Sequence, residues 1–210
     1  MLSTDNVAVL IHDETLERTT DGRGEVARTM HAALKPLDAG AWFDPRFRGE
    51  PIPDFADAAQ LCVRLGLWAN IEIKPAPGHE HATGRIAAGI ADRAWAGAAR
   101  PLQPLLSSFS ETALASARDT APQLPRALLV DAVPPDWERR LTDLGCIALN
   151  CNQARLEESA ARAIRASGYG LAAWTVNDPT LARRLFSWGV DAIFTDQLDL
   201  IGPDFAEWAA

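Results

Sequence analysis

The first candidate for chemistry is an imidazole placed where an apolar run stops. Val7 to Ile11 is rich in Val, Leu and Ile, reads as a buried strand, and delivers His12 and Asp13 to a polar, turn-forming stretch, Glu14 to Gly24. In parallel α/β proteins the carboxyl ends of strands are where chemistry is done. An imidazole titrates near neutrality, so it suits proton transfer to a leaving alkoxide or from an attacking hydroxyl. Asp13 reads as a cap on the turn; orienting the imidazole is the alternative. A second polar set follows. Leu67 to Lys74 reads as a strand stopped by Pro75, with Asn70, Glu72 and Lys74 on one face and Ile71 and Ile73 on the other. In a barrel wrapped by helices the polar set points into the mouth. There Glu72 and Lys74 either serve a site or pair with each other. His79-Glu80-His81 invites a metal reading, but Pro77, Gly78 and Gly84 mark a loop, and solvated side chains are expected.

Elements to position these residues are visible in the pattern. A long excursion from Thr15 to Pro53 carries Leu37, Trp42, Phe43, Phe47 and Ile52 as expected apolar anchors, a loop pinned by its own side chains. Asp54 is expected to cap a helix to Leu65. Helices follow at Ala82–Ala98, Glu111–Arg118, Asp136–Leu144, Leu156–Ser167 and Pro179–Trp188. Strands follow at Leu105–Ser108, Arg126–Val130, Cys146–Asn150, Gly170–Val176 and Ala192–Thr195. The alternation means βα units and a parallel sheet. The expected fold is a (β/α) barrel in a single domain, residues 1–210.

Composition narrows the function. The 210 residues are 48% hydrophobic and 23% charged, with net charge −8. An acidic chain is a poor partner for nucleic acid or an anionic membrane. No apolar run is long enough to span a bilayer. The start lacks the basic and apolar regions of a secretory signal. Cys62, Cys146 and Cys151 have no C-x-x-C spacing and read as reduced, buried thiols of a cytoplasmic protein.

The stretch V-A-V-L-I-H-D followed by T-L-E-R-T-T-D-G-R-G resembles the glycerophosphodiester phosphodiesterase family. So do L-D-A-G-A-W-F at Leu37–Phe43, F-R-G-E-P-I-P at Phe47–Pro53, N-I-E-I-K at Asn70–Lys74 and S-S-F at Ser107–Phe109. W-T-V-N at Trp174–Asn177 and G-V-D-A-I-F-T-D at Gly189–Asp196 complete the set, in the family's order. The resemblance implies a TIM-type barrel of the phospholipase C-like phosphodiesterase kind. It implies metal-dependent hydrolysis of glycerophosphodiesters to sn-glycerol 3-phosphate and an alcohol, within lipid and glycerol metabolism. By resemblance His12 is one of two catalytic histidines and Glu72 a ligand of Mg²⁺ or Ca²⁺. Lys74 and Trp174 would bind substrate. The physics agrees: Glu72 in the mouth would repel a phosphodiester unless a cation stood between them, and Lys74 would serve the phosphoryl oxygens. Trp174 is either an apolar wall beside the substrate or part of the core.

The family's opening H-R-G, E-N-T and E-x-D blocks are not found, so the barrel is expected to lack its first two strands. Seven strands plus two absent make one too many for eight, which puts either Arg126–Val130 or Cys146–Asn150 outside the barrel. Open edges at Val7–His12 and Ala192–Thr195 would favour self-association. Two readings stand: a phosphodiesterase whose start lies upstream of Met1, or an inactive truncated barrel, a pseudoenzyme or phosphate-binding module.

Overall fold

The structure is a computed structural model that describes residues 1–99 and 102–205. The chain divides into two compact units, Met1–Pro125 and Arg126–Ala210.

The first unit opens with an extended segment that is not a sheet strand. Residues 7–12 make only isolated antiparallel bridges, Leu2 with Ala8 and Val9 with Asp54. The backbone explains why: the Val9 amide donates to Met1 and the Leu10 amide to Pro53, both at 2.9 Å. The run expected to be buried is so only in part: Ala8 and Val9 are buried, while Leu10 is 44% exposed. Burial does not name the partner, and here the partners are loop segments.

The excursion that follows holds two short 3₁₀ turns, Val26–Arg28 and Pro45–Phe47, and one turn of helix, α1, His31–Leu34. Its core is Val9, Leu16, Val26, Leu34 and Ile52, with Leu37 and Ala39 packed against it. Three expected anchors stand outside. Trp42 is 51% exposed, Phe43 71% and Phe47 42%. They pack against one another along the lip instead, edge-on and tilted, with ring centroids 5.7 and 6.0 Å apart. A close chain approach fixes this lip: a Cβ on Gly40 would stand 1.9 Å from the Phe47 carbonyl oxygen. Asp38 accepts from the amides of Gly40 and Ala41, both at 2.9 Å.

Helix α2, Phe55–Arg64, begins after Asp54, but Asp54 makes no side-chain cap. Its carboxylate receives His31 Nε2 at 2.6 Å and Lys35 Nζ at 2.7 Å, tying α1 to the start of α2. Strand β1, Asn70–Glu72, pairs in parallel with β2, Leu105–Ser108, Glu72 opposite Ser107. Between them runs α3, Glu80–Ala94, and after them α4, Glu111–Thr120. His79 occupies the N-cap position of α3, so the His79–His81 stretch expected as loop is a helix start. Small residues let α3 and α4 meet: Gly84, Ala88 and Ala91 face Ala113, Ala117 and Ala121, which are buried.

In the second unit β3 (Arg126–Val130), β4 (Ala148–Asn152), β5 (Gly170–Trp174) and β6 (Ala192–Ile193) pair in parallel in chain order. Helices α5 (Trp137–Leu144), α6 (Glu158–Ala166) and α7 (Pro179–Ser187) make the crossovers. Gly145, at φ 61°, closes α5 in the left-handed region, and Asp178 caps α7 ahead of Pro179. Strand, helix and parallel strand in alternation are the units of a TIM-like (β/α) barrel. Arg126–Val130 and Ala148–Asn152 are both paired strands, so the surplus strand of the sequence reading was the 7–12 run.

Two outcomes follow from this packing. A Cβ at Gly84 would lie 2.3 Å from the Ala113 carbonyl oxygen, which must move for it to fit. Gly84→Ala is expected to cost about 1–3 kcal/mol in urea unfolding, against a helix-propensity gain of about 1 kcal/mol at an unhindered site. The second concerns acid. Burial works against the charged form of Asp54, yet the Lys35 and His31 hydrogen bonds outweigh it and hold the carboxyl below its usual range. A folded-state pKa lower than the unfolded one stabilises above the unfolded value, and that contribution is lost as pH falls. Unfolding free energy should therefore drop on acidification below about pH 4, and less so in Asp54→Asn.

Candidate active site

His12 and Lys74 meet in the first unit. Lys74 Nζ lies 3.3 Å from His12 Nε2. An ammonium offers only donors, so this contact needs the lone pair on Nε2 and puts the ring proton on Nδ1. That proton has its acceptor: Nδ1 is 2.7 Å from Asp13 Oδ1. Asp13 is in turn gripped by Arg18, whose Nε and Nη2 reach its two oxygens at 2.5 and 2.8 Å. The Arg18 guanidinium, and then His12, hold the Asp13 carboxyl well below the usual carboxylate range. Asp13 therefore orients the imidazole; the turn-cap reading is replaced. Arg18 also stands 5.8 Å over the Trp42 ring, which fixes the guanidinium from its other side.

The imidazole itself is open, its side chain 72% exposed. That openness suits a group that must meet substrate. It also means the orientation comes from hydrogen bonds alone, not from packing.

The parity expected for β1 holds. Ile73 is buried, and its amide donates to the Ser107 carbonyl at 2.7 Å. Glu72 and Lys74 line one cavity of about 320 Å³ with Glu14, Glu80, Ser108 and Phe109. Glu80 is committed to the Gly78 amide at 3.1 Å. A second cavity of about 480 Å³ is lined by His12, Arg18, Trp42 and Glu50.

Trp174 belongs to the second unit, where it ends β5 opposite Asn152. Just beyond it, Asn177 ties two motifs together. Its Oδ1 accepts from Thr195 Oγ1 and from the Asp196 amide, at 3.1 and 2.8 Å, and its Nδ2 donates to Asp196 at 3.1 Å. W-T-V-N and F-T-D are thus one hydrogen-bonded corner.

Residue-by-residue reasoning passed over Arg18 and Glu14, and gave Asp13 the lesser role. The signal for Arg18 was present, since an Arg five residues after Asp13 on a turn can return to it.

A family model described as the glycerophosphoryl diester phosphodiesterase family matches residues 1–200. A glycerophosphodiester phosphodiesterase of Bacillus subtilis (strain 168) is 29% identical, over 95% of this chain and 72% of that protein. One from Caldanaerobacter subterraneus subsp. tengcongensis is 30% identical, over 93% and 79%. Among solved structures, an Oleispira antarctica phosphodiesterase in complex with the product sn-glycerol-3-phosphate superposes with a TM-score of 0.90 at 36% identity. That match covers 100% of this chain and 81% of the other.

The electrostatics give one check. In Arg18→Met the Asp13 pKa should rise toward the ordinary carboxylate range, followed by NMR titration of its carboxyl carbon. An unchanged value would mean that Arg18 does not hold Asp13.

Proposed function

We propose, on the premise that this chain belongs to the glycerophosphoryl diester phosphodiesterase family, that His12 is its proton-transfer residue. The activity is hydrolysis of glycerophosphodiesters to sn-glycerol 3-phosphate and an alcohol. The observation that carries the residue assignment is the Arg18–Asp13–His12–Lys74 chain, which leaves Nε2 as the exchanging atom.

The chemistry runs as follows. The diester phosphate is an anion and draws the Lys74 ammonium to a phosphoryl oxygen, releasing Nε2. Nε2 takes up a proton, and Asp13 stabilises the imidazolium. Water's oxygen bonds to phosphorus as the bond to the alcohol oxygen breaks. The leaving alkoxide receives the Nε2 proton, which Nε2 had taken from solvent, and the attacking water gives one proton back to solvent. Trp174 is proposed as an apolar wall for the substrate.

Mg²⁺ or Ca²⁺ with Glu72 as ligand is the family-based reading. Among the described residues no group of three or more His, Cys, Asp or Glu is placed to share an ion. Hard cations want six or more oxygens. Glu72 alone does not fit one, so no step above passes through a metal. This shortfall is what favours the second reading, an inactive barrel acting as a pseudoenzyme or phosphate-binding module. Six parallel strands among the described residues fall two short of an eight-stranded barrel. That supports the reading of a single barrel domain over 1–210 whose H-R-G and E-x-D units lie outside these residues. The strand edges of such a barrel would be where self-association occurs. No described helix is long and apolar enough to cross a membrane. Three free cysteines suit a reducing compartment, and a cytoplasmic location is part of the proposal.

The test is release of glycerol 3-phosphate from glycerophosphocholine by the 210-residue protein with added Mg²⁺ or Ca²⁺. His12→Ala should lower kcat by about 10²–10⁴-fold with its unfolding midpoint little changed, because the side chain is open to solvent. A His12→Ala protein as active as the parent would refute the role of His12. A parent with no turnover would favour the inactive barrel.

A further inference from the structure

Helix α2 is apolar on the side that it does not bury. Its inner face is ordinary: Phe55 and Ala59 are buried, and Cys62 packs against the same core. A surface helix then turns polar groups to solvent. Here Leu61, Val63 and Leu65 are open instead, and Leu67 and Trp68 carry the patch on toward β1; the five are 39 to 61% exposed. At that exposure they present on the order of 500 Å² of apolar surface, near the upper end of what a monomer shows in one patch. Strand β1, which follows, pairs with β2 and, among the described residues, with no strand on its other side.

The charges on this face say what covers it. Asp57, Leu61 and Arg64 recur at i, i+4 and i+7, on one stripe, with Asp57 in the first turn and Arg64 in the last. Both charges are exposed, and neither has an ion-pair partner among the described residues. The Lys35 ammonium that feels Asp57 is bonded to Asp54. A second copy of the chain meets this stripe with matching charge if the two α2 helices run antiparallel about an axis near Leu61. Asp57 then faces Arg64 of the second copy, and Arg64 faces its Asp57. A parallel arrangement would oppose like charges. Two such patches cover about 1,000 Å², where the size of a specific interface begins. An anionic lipid surface fits less well, because Arg64 is the only cation between Asp57 and Glu72 and the chain carries net charge −8.

We infer that the outer face of α2 is a self-docking surface, on which a second copy binds antiparallel through Leu61, Leu65, Trp68 and two reciprocal Asp57–Arg64 pairs. This places self-association on a helix face rather than on the strand edges, and it does not depend on the phosphodiesterase reading. Sedimentation equilibrium of the 210-residue protein should show a monomer–dimer equilibrium, displaced to monomer in Leu61→Glu. Asp57→Arg and Arg64→Asp should each weaken the dimer about tenfold, since each opposes like charges at two places. Both changes in one chain should restore it, and mixing the two single variants should give a heterodimer. Apolar association without this register would ignore these exchanges, and circular dichroism checks that each variant is folded. A parent that stays monomeric, or a dimer indifferent to both single charge changes, would overturn the inference. A monomer that floats with phosphatidylglycerol vesicles would overturn it too, by giving the patch to a lipid surface.

Discussion

The grip of Arg18 on Asp13 is the constraint the site depends on. His12 is too exposed for packing to orient it, so its ring is set by what each nitrogen meets. Asp13 holds Nδ1 in one direction because Arg18 bonds both of its oxygens. With Nδ1–H committed, Nε2 turns its lone pair to Lys74. An exposed ion pair adds little to stability. Here it acts by position, selecting one tautomer at one atom.

The rest of the first unit supports that geometry at a distance. The excursion would be a poor platform if its backbone were free. It is instead a packed body with its own core around Leu16, Val26, Leu34 and Ile52. The Asp38 carboxylate and the Gly40–Phe47 approach hold its lip, and the lip presents Trp42 to Arg18. Lys74 arrives from the other direction, by strand parity: Ile73 is buried, so its neighbours Glu72 and Lys74 turn to the cavity side. Strand β1 is held at its register by β2, and β2 by a layer of α3 and α4 close enough to exclude a single Cβ at Gly84.

Period-two and helical patterns made the βα units legible from sequence, because both record which face is buried. The 126–130 strand was legible as an apolar run, buried along its whole length, and the strand expected at 146–150 stands at 148–152; alternation gave the shared face of Glu72 and Lys74. What was not legible depended on partners distant in the chain. Val7–Ile11 has the composition of a sheet strand, yet its amides go to Met1 and Pro53. Trp42, Phe43 and Phe47 look like core residues, yet Gly40 and Asp38 turn them outward. Asp54 has the residue type of a helix cap, but His31 Nε2 from α1 and the neighbouring Lys35 Nζ take its carboxylate instead. Asp13 was misjudged the same way, since a turn cap and an imidazole support look identical until Arg18 is placed.

The role of His12 turns on its tautomer, a proton on Nδ1 and a lone pair on Nε2. Nitrogen-15 NMR of the imidazole reads this directly at pH about 8, where an imidazole is ordinarily neutral. The account predicts a protonated Nδ1 and a bare Nε2, with the preference weakened when Asp13 is changed to Asn. A proton resident on Nε2 in the parent protein would contradict it.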